Sequence, residues 1–365
     1  MTPRRVPFGS PAPREDADDV RQAIERVVSS GWYILGPEVA AFEAEFAAAA
    51  GAKHAIGVGN GTDALALILR GLGIGPGDEV ITTPLSAAYT ALAILMVGAR
   101  PVFADIDPRR LTIAPDAVSA AITSRTKAIM PVHLYGQAAE MTALGAIASR
   151  HGLALVEDAC QAHLATERGR PVGTIGVAGA FSFYPTKNLG ALGDGGAIVT
   201  NDDALAASLR RLRNGGQTDR YHHLDAGINS RLDEMQAAIL RARLPYLREW
   251  TAKRRALAAL YRTALRDAPV RAVPEFDPGH VYHLFVVRTT ARDRLQAHLA
   301  ASGIETFVHY PVPIPRQPAL TAQAPTDCPE SNRACDEVLS LPLHPGLATT
   351  DVEAVVASVC AFHEE

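Results

Sequence analysis

Residues 181–202, FSFYPTKNLGALGDGGAIVTND, set one lysine, Lys187, in a loop between two strand-like runs, with Gly190, Gly193, Gly195 and Gly196 close behind. A lysine that attacks carbonyls needs an amine that is neutral at working pH, and a loop at the end of a buried strand offers that desolvation. Taken alone, Lys187 reads as well as a surface lysine and the glycines as a tight turn. A second group lies in LALVEDACQAH, where an apolar run ends in Glu157 and Asp158. An acid there is either a working carboxylate or an N-cap for a following helix. Paired, the two suggest pyridoxal 5′-phosphate chemistry, which needs a lysine to form an imine and a carboxylate to keep the pyridine nitrogen protonated. That chemistry also needs a phosphate site. In GVGNGTDALALILR, Asn60, Gly61 and Thr62 precede a helical pattern, where free N–H groups and the helix dipole favour an anion. The same residues also fit an ordinary helix start capped by Asn60 or Thr62. Their GxGxG spacing is not the GxGxxG dinucleotide fingerprint, which disfavours the rival reading of a nicotinamide-dependent oxidoreductase. His222 and His223 are adjacent and no spaced His/Cys/Asp cluster appears, so no metal is expected.

The elements that must position these residues alternate. From Gly61 onward, helical and strand patterns succeed one another: GTDALALILRGLG, DEVITTP, AYTALAILMVG, ARPVFADID, APDAVSAAI, KAIMPVHLYG, MTALGAIASRHG, LALVEDA, GAFSFYP and GGAIVTND. This predicts an α/β fold with a mainly parallel central sheet and helices on both faces, because parallel neighbours need crossover connections. Ligand groups then belong at the carboxyl ends of the strands. Two amphipathic helices, 16–29 and 38–50, come first. After Asp233 a helical run broken near Pro245 leads to a strand in HVYHLFVVRT and a last helix in TDVEAVVASVCAFH. The division expected is a large cofactor-binding α/β domain, 1–240, and a small C-terminal α+β domain, 241–365.

Composition narrows the partners. With 365 residues, 48% hydrophobic and 20% charged, the chain can bury a large core and is neither a fibre nor a disordered tail. The 35 basic against 39 acidic residues, net −4, argue against nucleic acid or an anionic membrane as partner. Cys160, Cys328, Cys335 and Cys360 lack CxxC spacing and read as reduced thiols in a cytoplasmic protein. No secretory signal is expected, since no apolar stretch follows the basic residues at the start. The uncharged run Val80 to Ala99 holds Pro84 and is expected to split into a strand and a helix rather than span a membrane.

The motifs GWYILGPEVAAFEAEFA, GNGTDALALILRGLGIGPGDEVI, PVFADID, EDACQAH, FSFYPTKNLGALGDGGAIVTND, NSRLDEMQAAIL and HYPVP follow in order. From near residue 8 to near residue 360 the chain thereby resembles the DegT/DnrJ/StrS family of pyridoxal-phosphate-dependent nucleotide-sugar aminotransferases. The resemblance implies an aspartate-aminotransferase-like fold (fold type I), and a homodimer with active sites shared at the subunit interface. It implies a nucleotide-linked keto-sugar as acceptor and an amino-acid donor, glutamate. It assigns Lys187 as the imine-forming lysine, Asp158 as the partner of the pyridine nitrogen, and Gln161 as a contact to the ring hydroxyl. Gly61, Thr62 and Ser182 take phosphate positions, and Asn229 reaches the phosphate from the neighbouring subunit. The bland alternatives are a strand hydroxyl for Ser182 and a helix cap for Asn229. Tyr33, His309 and Tyr310 resemble residues near the nucleotide-sugar, or they simply pack. Many relatives stack an aromatic on the cofactor at the position of Ala87; here the nearest is Tyr89. Relatives also often continue HYPVP with histidine and leucine, where this chain has Pro315 and Arg316. KNLGALGDGG resembles relatives acting on 3-keto-6-deoxyhexoses more than those acting on 4-keto sugars. Having Lys187 rather than histidine sets the chain apart from a dehydrating branch, and intact Lys187 and Asp158 set it apart from non-catalytic regulatory relatives.

Overall fold

In the computed structural model, which describes residues 5–9, 12, 14–321 and 327–363, the chain is organised around one seven-stranded sheet. Its strands are β1 (His54–Val58), β2 (Glu79–Thr82), β3 (Arg100–Phe103), β4 (Thr126–Met130) and β5 (Ala154–Asp158). A separate two-residue hairpin, β6 (Thr166–Glu167) and β7 (Arg170–Pro171), precedes the last two, β8 (Ala178–Ser182) and β9 (Gly196–Thr200). The order is β1-β9-β8-β5-β4-β2-β3. Every pairing from β8 to β3 is parallel, while β9 runs antiparallel to both β8 and β1. Mainly parallel sheets need cover on both faces, and the strand interiors are accordingly buried. On one face Leu65, Ile68 and Leu69 of helix Gly61–Gly71 and Leu205 and Leu209 of helix Asp203–Leu212 pack on Ile56, Val58, Val156 and Ile198. On the other, Phe42 and Phe46 of helix Pro37–Ala50 meet Phe181 and Phe183 edge to face. Leu144 and Ala148 of helix Met141–His151 complete that face against Ile81, Ile129 and Leu155.

A second, antiparallel sheet of β10 (Arg271–Ala272), β11 (Phe285–Arg288) and β12 (Val338–Leu341) is covered by helices Leu247–Ala264, Arg292–Ala301 and Thr349–Cys360. Tyr261, Leu295, Leu299, Val352 and Val359 pack there on Phe285, Val287 and Leu339. Val6 joins the same cluster, donating its N–H to Gly303 O at 2.9 Å.

Most expected elements are present, with informative differences. Pro245 sits in a 3₁₀ turn, Leu244–Tyr246, that separates helix Glu234–Arg243 from Leu247–Ala264. The run KAIMPVHLYG is a strand only to Met130, since Pro131 cannot donate to a ladder. Val80–Ala99 splits into β2 and helix Tyr89–Met96, and among the described residues no helix is long and apolar enough to cross a membrane. Sequence reading did not assign β1 or helix Asp203–Leu212; β1 is five residues long and is fixed by pairing with β9, 138 to 146 positions away by its register.

At the amino-terminal end of β2, Glu79 is 1% exposed, and its carboxylate accepts hydrogen bonds from Arg100 Nη2 (2.7 Å), Arg125 Nε (2.7 Å) and Thr123 Oγ1 (2.6 Å). Burial alone would raise its pKa; Thr123, Arg100 and Arg125 outweigh that and hold it down to about 2, from an ordinary 4.5. A carboxyl depressed on folding contributes stability above its ordinary value and loses it as pH falls through that value toward the folded one. Glu79→Gln should therefore cost about 1–3 kcal/mol at neutral pH, read from melting temperature. The gap to the unmodified chain should narrow as pH drops from 4.5 toward about 2; a gap independent of pH would contradict the assignment.

Candidate active site

Lys187 lies in the connection between β8 and β9, an antiparallel pair that needs no crossover helix. The loop closes on itself through Phe183 N to Gly195 O (2.8 Å), Ala191 N to Phe183 O (2.7 Å) and Lys187 N to Tyr184 O (2.8 Å). A Cβ on Gly190 would lie 2.5 Å from Pro185 O, so glycine alone permits this fold-back. Other elements brace it: Arg243 Nη1 donates to Gly190 O at 2.6 Å and Leu192 N to Gln236 Oε1 at 2.9 Å. From the side of the smaller sheet, Asn188 Nδ2 donates to Val281 O at 3.1 Å, and Asn188 Oδ1 lies 3.1 Å from His283 Nδ1.

The chain has four lysines. Lys53 and Lys253 are half exposed and paired with Asp203 and Glu249, and Lys127 is exposed. Lys187 alone is half-buried without a hydrogen-bond or ion-pair partner for its amine among the described residues. Burial lowers its pKa from the ordinary value, opposed by neighbouring Cys160 and Asp158. Nearby His163 is pushed down to about 3 and His309 to about 4, by burial first and by Lys187 second, so both rings are neutral near neutral pH. Lys187 also lines a cavity of about 440 Å³ with His283, His309, Phe307 and Arg254; Asp158, Gly61 and Ser182 are outside it.

Glu157 and Asp158 end β5 and, by strand alternation, face opposite ways. Glu157 is fully buried and accepts from Gly173, Ile175 and Gly176 N, each at 2.7 Å, with His133 Nε2 at 2.9 Å. It is a structural knot. Asp158 is 5% exposed; its Oδ2 accepts from Thr90 Oγ1 at 2.7 Å and its Oδ1 from Cys160 N at 3.2 Å. No helix follows either acid, which removes the N-cap alternative. Thr90 and Cys160 each donate one hydrogen bond to Asp158, and a carboxylate has about four acceptor positions, so capacity remains for a further N–H.

Asn60 does cap helix Gly61–Gly71, accepting Asp63 N at 2.8 Å. The N–H groups of Gly61 and Thr62 make no hydrogen bond among the described residues. Gly61 faces Ser182 and Cys160 so closely that a Cβ on it would lie 2.9 Å from Ser182 Cβ and 2.7 Å from Cys160 Sγ. Free N–H groups and a hydroxyl beside a helix start form a cradle suited to phosphate. These residues fit pyridoxal 5′-phosphate. Ser230 Oγ accepts Gly59 N (3.0 Å) and donates to Asp63 Oδ2 (2.6 Å), bracing the same turn. Its neighbour Asn229 is exposed, and it is no helix cap, since Asp233 caps Glu234–Arg243 through Gln236 N at 2.7 Å.

Gln161 Oε1 accepts Tyr135 N at 2.8 Å and its Nε2 donates to Tyr310 OH at 3.0 Å. Tyr135 is buried at φ 60°, a strained conformation for a bulky residue, and its hydroxyl donates to His309 O. His309 Nδ1 lies 2.9 Å from Ser340 Oγ. The structure thus brings Asp158, Gln161, His309, Tyr310, Lys187, Ser182 and Gly61 to one end of the sheet. Tyr89 opens helix Tyr89–Met96 and is 63% exposed; Tyr33 is 51% exposed, its carbonyl accepting Glu234 N at 3.0 Å. Sequence reasoning missed Thr90, Cys160, Tyr135 and Asn188. Cys160 and Asn188 sat inside quoted motifs, whereas Thr90 is 68 positions from Asp158 and carried no local signal.

A mainly parallel sheet with a solitary amine beyond one strand and a buried carboxylate ending its neighbour is the framework of the aspartate-aminotransferase-like enzymes, which use pyridoxal 5′-phosphate. Residues 14–360 match the DegT/DnrJ/EryC1/StrS aminotransferase family, and the chain belongs to it. It is 50% identical over 366 positions to a Streptomyces venezuelae dTDP-3-amino-3,4,6-trideoxy-alpha-D-glucose transaminase, covering 99% of this chain and 97% of the relative. It is also 50% identical to the Saccharopolyspora erythraea erythromycin biosynthesis sensory transduction protein EryC1, over 94% of this chain and 95% of that one. The crystal structure of S. venezuelae DesV in complex with a ketimine intermediate superposes with a TM-score of 0.95 at 50% identity, covering 98% of each chain.

Because overpacking a close contact costs about 1–3 kcal/mol, Gly61→Ala should weaken uptake of pyridoxal 5′-phosphate by roughly tenfold or more in an absorbance titration of the apo protein. Unchanged uptake would contradict the cradle.

Proposed function

We propose that this enzyme moves an amino group from glutamate to the C-3 keto group of a nucleotide-linked 6-deoxyhexose, making an amino sugar. The observation that carries the reading is the half-buried amine of Lys187, which has no hydrogen-bond or ion-pair partner among the described residues and lies near Asp158 at the ends of β8 and β5. The sugar and the carbon rest on the C-3 amino sugar in the relative's name and on the run KNLGALGDGG. Bound in this site, pyridoxal 5′-phosphate supplies an electron sink that lets nitrogen pass between two carbon skeletons. Lys187 Nζ, kept below the ordinary lysine range by burial, takes the proton from the donor's Cα and later delivers one to the sugar carbon. Asp158 holds a proton on the ring nitrogen through both halves, and Gln161 orients the ring hydroxyl. Gly61, Thr62 and Ser182 hold the phosphate. Tyr33, His309 and Tyr310 line the way to the sugar nucleotide.

The working form we infer is a homodimer with shared sites. Trp32, Tyr33, Tyr184, Tyr221 and Leu224 are large apolar residues left more than half exposed, and Asn229, also exposed, is the residue assigned to a second copy's phosphate. The setting we infer is the cytoplasm, in keeping with four free cysteines. The regulatory name of one relative does not change the reading, because Lys187 and Asp158 are both present here.

Purified protein should absorb in the visible, lose that band with glutamate, and regain it when a nucleotide-linked 3-keto-6-deoxyhexose is added. Recovery with the 4-keto isomer instead would move the product nitrogen to C-4. Response to NADH but not to any amino donor would favour an oxidoreductase. Lys187→Ala should lower turnover by about 10²-fold or more, as expected for loss of a proton-transfer group.

A further inference from the structure

The motif residues do not explain why the Asp158 carboxylate is held in one orientation. Its Oδ2 is engaged by Thr90 Oγ1 at 2.7 Å, in a contact where both residues are buried, Thr90 being 2% exposed. Its Oδ1 is engaged by Cys160 N at 3.2 Å, a longer and weaker contact. Thr90 stands in the first turn of helix Tyr89–Met96, whose Ala91, Ala93 and Ile94 are fully buried, so the hydroxyl is delivered from a packed element rather than a loop. A hydroxyl on an ionised carboxylate can only donate, which fixes the proton's direction.

We propose that Thr90 is a positioning residue for the cofactor: its hydroxyl, donated to Asp158 Oδ2, keeps that carboxylate aimed, and so governs how firmly the ring nitrogen of bound pyridoxal 5′-phosphate retains its proton. The proposal rests on the role given to Asp158 above. The titratable groups that face Asp158 are Lys187 and Cys160 from neighbouring loops and Tyr310 from the HYPVP segment. Only Lys187 among them is able to carry positive charge, and the Thr90 hydroxyl is the shorter of the two donors to the carboxylate. Removing the hydroxyl frees the carboxylate to turn and makes Asp158 a poorer anchor for the ring's proton. A less cationic ring then withdraws less charge from the carbon bonded to Lys187.

The experiment compares Thr90→Val, which keeps the shape, with Thr90→Ser, which keeps the hydroxyl, and with Asp158→Asn, each as purified full-length protein. Three readouts are taken: pyridoxal 5′-phosphate dissociation from the reconstituted protein, the pH midpoint of its visible band, and melting temperature of the apo form. For Thr90→Val we expect about tenfold weaker cofactor binding, the worth of a hydrogen bond to a charged group, and an upward move of the pH midpoint. Thr90→Ser should return both to within about twofold of the unmodified protein, allowing for its lost methyl. If Asp158→Asn alters affinity and midpoint while Thr90→Val alters neither, the role of Thr90 is overturned and that of Asp158 stands. If Asp158→Asn alters neither, the reading of Asp158 itself is wrong. Should Thr90→Val lower only the apo melting temperature, or Thr90→Ser fail to restore the midpoint, the residue is a packing element and the proposal falls.

Discussion

The constraint on which this structure depends is a pair of opposite ionisable groups kept close but unpaired in a half-buried place. An amine and a carboxylate left near each other in water form a salt bridge worth little. Here the carboxylate of Asp158 is turned toward Thr90 and the Cys160 amide, and the Lys187 amine has no partner among the described residues. Burial works against its charge, while the nearby acid works for it. The amine is thereby left free for carbonyl chemistry, and the anion is left free to hold a proton on something else. A scaffold that satisfies neither group fully must fix both rigidly, since any slack would let them collapse together.

Much of the molecule serves that rigidity. Asp158 belongs to β5, in the interior of the large sheet, and is backed by Glu157, whose four partners tie the 173–176 turn and His133 to the same strand end. The Lys187 loop is held by Arg243, Gln236 and Asn188, which come from a helix of the large layer and from contacts with residues 281–283 beside the small sheet. Glu234 is spent on the other end of the site: its buried carboxylate accepts from Gly36, Glu38 and Val39 N, at 2.8 to 2.9 Å, and so caps helix Pro37–Ala50 across nearly two hundred positions. The motif NSRLDEMQAAIL is therefore explained almost residue by residue, with Ser230 on the Gly59–Asp63 turn, Asp233 on its own helix, Glu234 on a distant one and Gln236 on the lysine loop.

What was legible in the sequence follows from this. Alternating apolar runs and helical periods are local, so the parallel sheet and the helices that cross it could be read directly. Lys187, Asp158 and Gly61 were visible because each sits at an element boundary, where a polar residue or a glycine interrupts a hydrophobic run. Strand β1 was not visible, because its place is set by pairing with β9 rather than by its own five residues. Thr90 was hidden for the same reason: a threonine in an apolar helix is unremarkable until the fold sets it against an acid from another strand. Tyr135 was hidden because strain at φ 60° is a property of the backbone, written nowhere in residue type. The likeness in family carried further than local pattern could for Gln161, whose amide joins Tyr135 to Tyr310 across the two layers.

The most direct test of the central claim exploits the scarcity of lysines. The holoenzyme is reduced with borohydride, digested, and mapped by mass spectrometry for a pyridoxyl adduct among Lys53, Lys127, Lys187 and Lys253. The account predicts one adduct, on the peptide bearing Lys187, and its disappearance when glutamate is added before the reductant. An adduct on any of the other three, or none on Lys187, would contradict it.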